Sequence, residues 1–427
     1  MNPPPPFTEL NPLQISLLRA LRHAAPLPPD TLASLLGITR PTCARLIQGM
    51  ARKKWIRKAG LGDSTGGRRP VLWDIAPDAA HVGGLAIEVG RMTAAAADMS
   101  GQVAARNECD FDVDAGLDAF VSTAARLIEE TISAAQIAPE QLIGVGVTAP
   151  GVVDRRAGSL VFCAHYRDVE WWRDVPLLAR LRERIAAPFI LDYHSNACLL
   201  GGHWFGAQRG AANMIYIPVE TQGLGVGILI NGEVYRGAGG SAGEFGHMTI
   251  EQNGRLCRCG GRGCLEAYVS GAEIVRKAQA IRKAGGQSSI FHGLAAGDEP
   301  TVRAVAEAAQ SGDRIGRGIV EETGQALGVG IANLVNLLNP SLVVIGGDVA
   351  RAGDVLLDAV RSVVRRRALE KSAGEVRFLC ADSSPDDMLR GTIAMVLQET
   401  FGSPCHTQHL LEQMKPKQCS TVQESAR

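Results

Sequence analysis

Residues 243–270 read GEFGHMTIEQNGRLCRCGGRGCLEAYVS, and the rest of the chain can be interpreted outward from this stretch. Cys257, Cys259 and Cys264 stand close together with glycines between them, and His247 lies a short strand upstream. Thiolates and imidazole are the ligands that tetrahedral zinc prefers, and a structural site uses four of them. The glycines allow the loop to bend tightly enough to direct three sulfur atoms toward one point. The pattern therefore predicts a structural Zn²⁺ site on these four residues.

A set of buried or redox-active thiols is the alternative interpretation of the same cysteines. Cys257 and Cys259 are one residue apart, a spacing poorly suited to a disulfide between them, which favours the metal. Two carboxylates, Glu244 and Glu266, flank the predicted ligands. A metal that holds the loop would also fix these carboxylates, which are good acceptors for sugar hydroxyls. Solvated or helix-capping glutamates are the alternative for both.

Composition limits the class of protein. A chain of 427 residues with 46% hydrophobic and 5% aromatic residues indicates a soluble α/β protein of two or three domains. No apolar run approaches a membrane span, and the start, MNPPPPFTEL, lacks the regions of a signal peptide. Ten cysteines, seven of them scattered, are typical of reduced thiols rather than a disulfide framework. We expect a cytoplasmic protein with no membrane partner.

The first 76 residues carry eleven Lys/Arg and four Asp/Glu, a net charge of +7, although the whole chain is neutral. A basic segment on an acidic remainder suggests a nucleic-acid module. Apolar residues at helical spacing predict a first helix to about Ala24, and Asp30 is the expected N-cap of a second helix that ends at Gly37. Thr39 is the expected cap of a third helix. Two short helices joined by a tight turn are typical of a helix-turn-helix.

The third helix has an apolar side, on which Leu46, Ile47 and Met50 are expected to face inward. Two short strands then flank DSTGGRRP, the predicted wing. A generic three-helix bundle with a basic hairpin is the alternative to DNA binding. The residues predicted to contact bases or phosphates are Arg40, Thr42, Arg45 and Gln48 on the helix and Arg68 and Arg69 on the wing.

After Pro77, strands alternate with helices, which indicates an α/β domain. The stretch VGGLAIEVGRMTAAAADMSGQVAARNE predicts two strands joined by a Ser-Gly turn, followed by a helix from about Leu117 to Ala135. A strand running into a helix is predicted for FILDYHSNACLLGGHWFGA, and a hairpin with an Asn-Gly turn for NMIYIPVETQGLGVGILINGEVYRG. Further helices are predicted over about 271–285, 301–310, 312–337, 353–368 and 385–400.

Several motifs together resemble the ROK family (repressors, open reading frames and sugar kinases). They are the winged helix ending in STGGRRP, the turn TAPGVVD, the stretch GAGGSAGEFGHMTI, the element CRCGGRGCLE and NLLNPSLVVIGG. The resemblance runs from about Leu13 to Phe401. It implies an N-terminal winged helix-turn-helix followed by a two-lobed, actin-like (ribonuclease H-like) α/β domain, with a sugar in the cleft, zinc on the His/Cys group and a homodimer or homotetramer. The expected segments are a disordered N-terminus over 1–11, the winged helix over 12–76, the first lobe over 80–195 with a C-terminal helix over 385–402, the second lobe with the zinc loop over 196–384, and a polar tail over 403–427.

The sequence departs from the kinase branch of that family where phosphate chemistry would occur. Kinases of the family carry an acidic residue and a Gly-Gly-Thr turn whose N–H groups approach the ATP phosphates. Here Glu88-Val89-Gly90-Arg91 stands in that place. Their Glu-Asn-Asp-Ala-Asn motif, whose aspartate is the catalytic base, corresponds to residues 192–196, so His194 holds the position of the base. Histidine can act as a base, but with the phosphate turn also lost we expect no kinase activity.

By resemblance, Glu244, His247 and Glu266 hold sugar hydroxyls, and the two distinct ring nitrogens of His247 let it serve the metal as well. His194 is the fourth candidate for the sugar site, with a core histidine in an empty pocket as the alternative. The altered pocket favours an unusual sugar or a polyol. We therefore expect a sugar-responsive transcriptional regulator, a repressor of carbohydrate-utilisation genes that binds a double-stranded DNA operator. The rivals are an ATP-dependent sugar kinase with a DNA-binding head and a constitutive DNA-binding protein with a vestigial pocket.

Overall fold

The computed structural model describes residues 9–63, 69–163, 166, 168–219, 223–295, 297–381 and 386–402. Contacts divide the chain into two compact units. One comprises the residues up to Ala79 together with the end of the last helix from Gln398, and the other comprises Ala80–Leu397. Among the described residues, no helix is both long enough and apolar enough to cross a bilayer.

The N-terminal unit consists of three helices and a two-stranded antiparallel sheet. Its elements are α1 (Pro12–Ala24), α2 (Pro29–Leu36), α3 (Arg40–Arg52), β1 (Ile56–Leu61) and β2 (Val71–Ile75). Asn11 and Gln14 form a capping box at the start of α1. Buried side chains from the helices form the core of this unit: Leu17, Leu18, Leu21, Leu32, Cys43, Ile47 and Met50.

The turn between α2 and α3 is the one that the sequence predicts. Gly37 ends α2 with φ +63°, a left-handed conformation that glycine adopts at little cost. Thr39 caps α3 by accepting a hydrogen bond from the Thr42 N–H at 3.4 Å. The expectation that Asp30 caps α2 is wrong. Proline at the first helical position starts α2 at Pro29, so Asp30 falls inside the first turn.

The second unit contains two five-stranded sheets. The strands of the first are β3 (His81–Ile87), β4 (Arg91–Asp98), β5 (Val103–Asp110), β6 (Leu142–Ala149) and β9 (Phe189–Tyr193); a hairpin of β7 (Val152–Asp154) and β8 (Ser159–Phe162) lies between β6 and β9 in the chain. The strand order is β5-β4-β3-β6-β9, with β3, β6 and β9 parallel and the other pairs antiparallel. The prediction of two strands over this region is wrong, because a second turn at Glu88–Arg91 divides it into three.

The second sheet repeats this arrangement. Its strands are β10 (Met214–Pro218), β11 (Gly227–Ile230), β12 (Glu233–Val234), β13 (Leu342–Gly346) and β14 (Arg377–Cys380), in the order β12-β11-β10-β13-β14. Again two antiparallel strands lie on one side of the first strand and two parallel strands on the other. This duplicated mixed sheet is the two-lobed, actin-like fold expected from the sequence.

Helices fill the spaces around the two sheets. They are α4 (Leu117–Ala134), α5 (Leu177–Arg182), α6 (His194–Phe205), α7 (Glu266–Val269), α8 (Gly271–Lys283), α9 (Val302–Gln310), α10 (Arg314–Leu338), α11 (Asp354–Arg367), α12 (Glu370–Glu375) and α13 (Asp386–Phe401). The long helices match their predicted ranges to within three residues, whereas the short α5, α7 and α12 were not predicted. Helix α13 packs on the first sheet so closely that a Cβ on Gly146 would lie 2.0 Å from the carbonyl oxygen of Thr392.

Candidate functional site

The exposed face of α3 carries the polar side chains predicted to read DNA. Arg40, Arg45 and Gln48 are exposed, while Ile47 and Met50 are buried on the opposite face. Arg40 forms an ion pair with Asp30 at 2.9 Å, between side chains that are 79% and 65% exposed, so water weakens this pair and it competes little with a phosphate. The hydroxyl of Thr42 lies 2.9 Å from that of Thr39, which makes it part of the helix cap rather than a free donor.

The strands that lead into the wing add positive charge that motif reasoning missed. Arg57 and Lys58 on β1 are exposed, as are Arg52 and Lys53 at the end of α3. Arg69 of the predicted wing is exposed, and Arg68 lies outside the described residues. The signal for the missed group is present in the sequence as the basic run that follows Met50, but no motif assigned it a role.

The structure brings His247, Cys257, Cys259 and Cys264 together, with one ligand atom from each within 4.8 Å of every other. The Cys257 Sγ lies 3.8 Å from the His247 Nδ1, and the Cys259 Sγ lies 3.7 Å from the Cys264 Sγ. A tetrahedral ion about 2.3 Å from sulfur and about 2.0 Å from nitrogen separates its ligand atoms by about 3.5–3.8 Å. These two distances are close to those of such a tetrahedron, and every other pair lies within 4.8 Å, so this group can hold a metal ion.

The loop that supplies the thiols is shaped by local contacts. Gly263 has φ +72°, and a Cβ there would lie 1.7 Å from the carbonyl oxygen of Glu251, so only glycine is accommodated. The Arg255 guanidinium donates to the Glu273 carboxylate of α8 at 2.5 Å, and the Arg255 backbone N–H donates to the Tyr268 hydroxyl at 2.9 Å. Burial by itself would raise the pKa of Glu273, but hydrogen bonds from Arg276 and Arg255 outweigh that effect and lower it. The charged Glu273 therefore fixes this loop to α8.

Beside the thiols lie the carboxylates predicted to bind hydroxyl groups. The His247 Nε2, on the far side of the ring from the sulfur atoms, lies 3.9 Å from a Glu244 carboxylate oxygen. A Cβ on the neighbouring Gly246 would lie 3.2 Å from a Glu266 carboxylate oxygen. Burial raises the pKa of Glu244; His247 opposes this rise and the charge of Glu266 adds to it. Glu244, His247 and Glu266 therefore lie together in one cluster.

A partly buried ion pair, which the sequence did not reveal, joins the two sheets. Asp192 at the end of β9 is 1% exposed. Its Oδ2 accepts from the Arg236 Nε at 2.8 Å and Nη2 at 2.6 Å, and Arg236 follows β12 of the second sheet. The Asp192 Oδ1 accepts from the Asn196 side chain at 2.8 Å. Two charged hydrogen bonds thus connect one lobe to the other.

His194 occupies the N-terminal position of α6. Its Nε2 lies 2.9 Å from the carbonyl oxygen of Ile87, which can only accept, so the Nε2 carries the proton. Any abstraction of a proton by this ring would have to use the Nδ1. Next to it, burial raises the pKa of Tyr193.

The turn at Glu88–Arg91, which the resemblance predicts at the position of the kinase phosphate turn, makes several contacts within the protein. The Gly90 N–H donates to the Tyr166 hydroxyl at 2.8 Å, and the carbonyl oxygen of Gly90 accepts from the Phe111 N–H at 3.0 Å. Arg91 pairs with Glu108 on β5. Because the Gly90 amide has a partner within the fold, it is not free to approach a phosphate oxygen.

A winged helix-turn-helix joined to a duplicated actin-like domain, with a His/Cys₃ loop beside a carboxylate cluster, defines a class of DNA-binding transcriptional regulators. The comparisons agree: residues 83–399 match the model of the ROK family, and residues 8–69 match that of the MarR family. The chain belongs to the ROK family.

The similar proteins include repressors and kinases. The chain is 28% identical to the xylose repressor of Caldicellulosiruptor bescii over 373 residues, 87% of this chain and 92% of that protein. It is 33% identical to a glucokinase of Halalkalibacterium halodurans over 324 residues, 74% of this chain and 94% of that protein. Among solved structures, a ROK family transcriptional regulator, a homologue of the E. coli MLC protein, superposes with a TM-score of 0.77 at 22% identity, covering 92% of this chain and 98% of that one. The last likeness concerns the fold alone.

Proposed function

We propose that this protein is a sugar-responsive transcriptional repressor that binds DNA through its winged helix and an effector sugar or polyol in the cleft of its ROK domain. One observation supports the proposal: a helix-turn-helix with an exposed polar face is joined in one chain to a ROK domain in which Glu244 and Glu266 lie beside His247, while the Gly90 N–H already donates to Tyr166. The resemblance to a named xylose repressor over 87% of the chain supports the same function.

The DNA contacts follow from the exposed side chains of the N-terminal unit. In the proposed complex, α3 lies in the major groove, where Arg45 and Gln48 reach base edges and Arg40 reaches a phosphate. The wing arginines Arg68 and Arg69 contact the backbone or the minor groove. Two such units in a homodimer or homotetramer would read the two halves of a palindromic operator.

The proposed effector site uses the carboxylates of Glu244 and Glu266 as acceptors for sugar hydroxyls, together with the Nε2 of His247. His194, at the start of α6, is the fourth residue of the proposed site. In this arrangement Zn²⁺ is held by His247, Cys257, Cys259 and Cys264 and fixes the loop that positions both glutamates. Zinc supplies structural order here.

The proposed switch is a population shift. An effector releases the operator only if it binds the DNA-free form of the protein more tightly than the DNA-bound form. Phosphorylation of the sugar is not expected, because the Gly90 amide and the Arg91 side chain are both committed within the fold.

The experiment is a fluorescence-anisotropy titration of the full chain with its own upstream DNA, at fixed salt, with a panel of sugars and sugar alcohols that includes xylose and glucose. We expect specific binding that one member of the panel weakens, while Glu266→Gln abolishes the response and keeps the affinity for DNA. Tight binding that no panel member alters would contradict the switch. A coupled assay with ATP tests the kinase alternative, for which turnover of any panel sugar would be decisive.

A further inference from the structure

A groove in the second unit lies away from the residues discussed so far. It encloses about 580 Å³ between α11, α12 and β14. None of the candidate sugar, metal or DNA residues contributes to its lining. Pockets that hold small molecules measure roughly 300–1,000 Å³, so this volume is sufficient for a metabolite.

The groove lies in a basic segment of the ROK domain. Residues 361–381 carry six Lys/Arg and two Asp/Glu, a net charge of +4 in a chain that is neutral overall. A groove in such a segment raises the local concentration of anions. Charge alone does not define a site, so it matters whether each arginine already has an ion-pair partner.

Three arginines line the groove, and they differ in their partners. Arg361 is paired with Asp358 at 3.0 Å and Asp354 at 3.5 Å, so its charge is already matched. Arg365 and Arg377 line the same groove, and within the described part of the chain neither forms an ion pair. Two unmatched guanidinium groups therefore border one cavity.

The remaining lining is mostly apolar. Val376, which precedes β14, and Phe378 on β14 are each 8% exposed and form the floor with Val364 of α11, while Leu379 is 37% exposed at the rim. Glu370 is the single carboxylate in the lining and lies on the α12 side. The groove thus combines two free guanidinium groups with an apolar floor and one opposing acid.

We propose that this groove binds a small organic anion, a phosphate or carboxylate joined to an apolar body. Arg365 and Arg377 bind the anionic group, since planar guanidinium groups match the oxygens of phosphate and carboxylate. The apolar body covers Val376 and Phe378. Glu370 repels the anion and keeps it toward α11 and β14. This site would give the protein a second input, independent of the sugar cleft.

The test is isothermal titration of the full-length protein with phenyl phosphate and benzoate as probes. Inorganic phosphate and benzyl alcohol separate the two halves of the ligand. The test variant is Arg365→Gln/Arg377→Gln. The control is Arg366→Gln, whose side chain is exposed, donates to the Ser362 hydroxyl at 2.8 Å and does not line the groove. Glu370→Gln is a variant with the opposite expected sign.

We expect phenyl phosphate or benzoate to bind to the wild-type protein. The same probe should bind to Arg366→Gln with the wild-type affinity. The double variant should lose at least tenfold in affinity, and Glu370→Gln should gain several-fold. The choice between phenyl phosphate and benzoate identifies the anionic group. The proposal is overturned if neither probe binds, if the double variant binds as tightly as wild type, or if inorganic phosphate binds as tightly as phenyl phosphate. An unchanged melting temperature of the double variant confirms that it is folded.

Discussion

Replacing Arg236 with glutamine tests whether a buried ion pair holds the two lobes of the ROK domain together. The change removes two charged hydrogen bonds, of 2.8 and 2.6 Å, from a carboxylate that is 1% exposed. Asp192 would remain charged and buried, with the Tyr193 N–H and the Asn196 amide on its Oδ1 and Arg155 at 3.9 Å from its Oδ2.

Removal of one partner of a buried pair destabilises a protein by about 3–5 kcal/mol, mainly because the other charge is left uncompensated. The two hydrogen bonds that Asp192 retains place Arg236→Gln at the lower end, about 3 kcal/mol. In Asp192→Asn/Arg236→Gln the uncompensated charge is absent, so we expect the double variant to recover about 1–2 kcal/mol of that loss.

The measurement is urea unfolding followed by tryptophan fluorescence. The chain has two units, so the transition of the ROK domain must be analysed separately from that of the winged helix. Trp171, Trp172 and Trp204 lie in the ROK domain and report on it. The matched control is Arg126→Gln, which breaks a 3.0 Å pair with Glu130 between side chains that are 57% and 51% exposed and should cost less than about 0.5 kcal/mol.

Two outcomes would refute the reasoning. One is a loss for Arg236→Gln no larger than that for Arg126→Gln. The other is a double variant at least as unstable as Arg236→Gln, which would mean that the buried charge of Asp192 is not the source of the cost.

Three further predictions concern the metal, the pH dependence and the DNA. Cys264→Ser should remove about one equivalent of zinc per chain, measured by mass spectrometry of the metal, and should make the loop sensitive to protease, whereas Cys380→Ser, outside the group, should do neither; zinc retained in Cys264→Ser would exclude the site. Burial lowers the pKa of His203 to about 4, so the folded protein keeps this ring neutral below its ordinary pKa of about 6.5. About 3 kcal/mol of the free energy of unfolding should therefore be lost as the pH falls from about 6.5 to about 4. In a profile of stability against pH, His203→Gln should flatten that slope, and an unchanged slope would contradict the assignment. Arg45→Ala should weaken operator binding by about 1–3 kcal/mol and relax specificity, while Arg69→Ala should weaken all sequences alike and reduce the salt slope by about 1, both measured by anisotropy; equal effects on specific and random DNA for Arg45→Ala would exclude base reading.

Local signals predicted the N-terminal unit well. The left-handed Gly37 and the Thr39 cap are determined by neighbouring residues, so the sequence is sufficient to place that turn. The two-strand prediction from the residue pattern failed at Glu88–Arg91, where a short turn interrupts a region rich in alanine and valine, and only the family resemblance indicated a turn there. The Gly90 N–H of that turn donates to the hydroxyl of Tyr166, which lies 76 residues further along the chain. An expected N-cap at Asp30 also failed, because the proline before it already starts the helix.

The candidate site also contains one part that the sequence predicts and one part that it does not. The His/Cys₃ group spans 18 residues of a single loop, and its spacing alone predicted the ligand atoms that the structure brings together. The pair of Asp192 and Arg236 is separated by 44 residues and by a change of sheet. No sequence motif links these two residues, so only the tertiary arrangement of the two sheets reveals their contact.

His247 gives the proposed regulator a short route between effector and metal loop. Its Nδ1 faces the sulfur of Cys257 at 3.8 Å, and its Nε2 faces the Glu244 carboxylate at 3.9 Å. A ligand hydroxyl bound at the Nε2 therefore acts on a ring whose other nitrogen belongs to the metal group, so ordering of the loop and binding of the effector share one side chain. In a kinase the same cleft must also hold the phosphates of ATP, but here Tyr166 already occupies the Gly90 amide. The binding energy of the sugar is then left to favour one arrangement of the lobes over another, which is what a regulator requires.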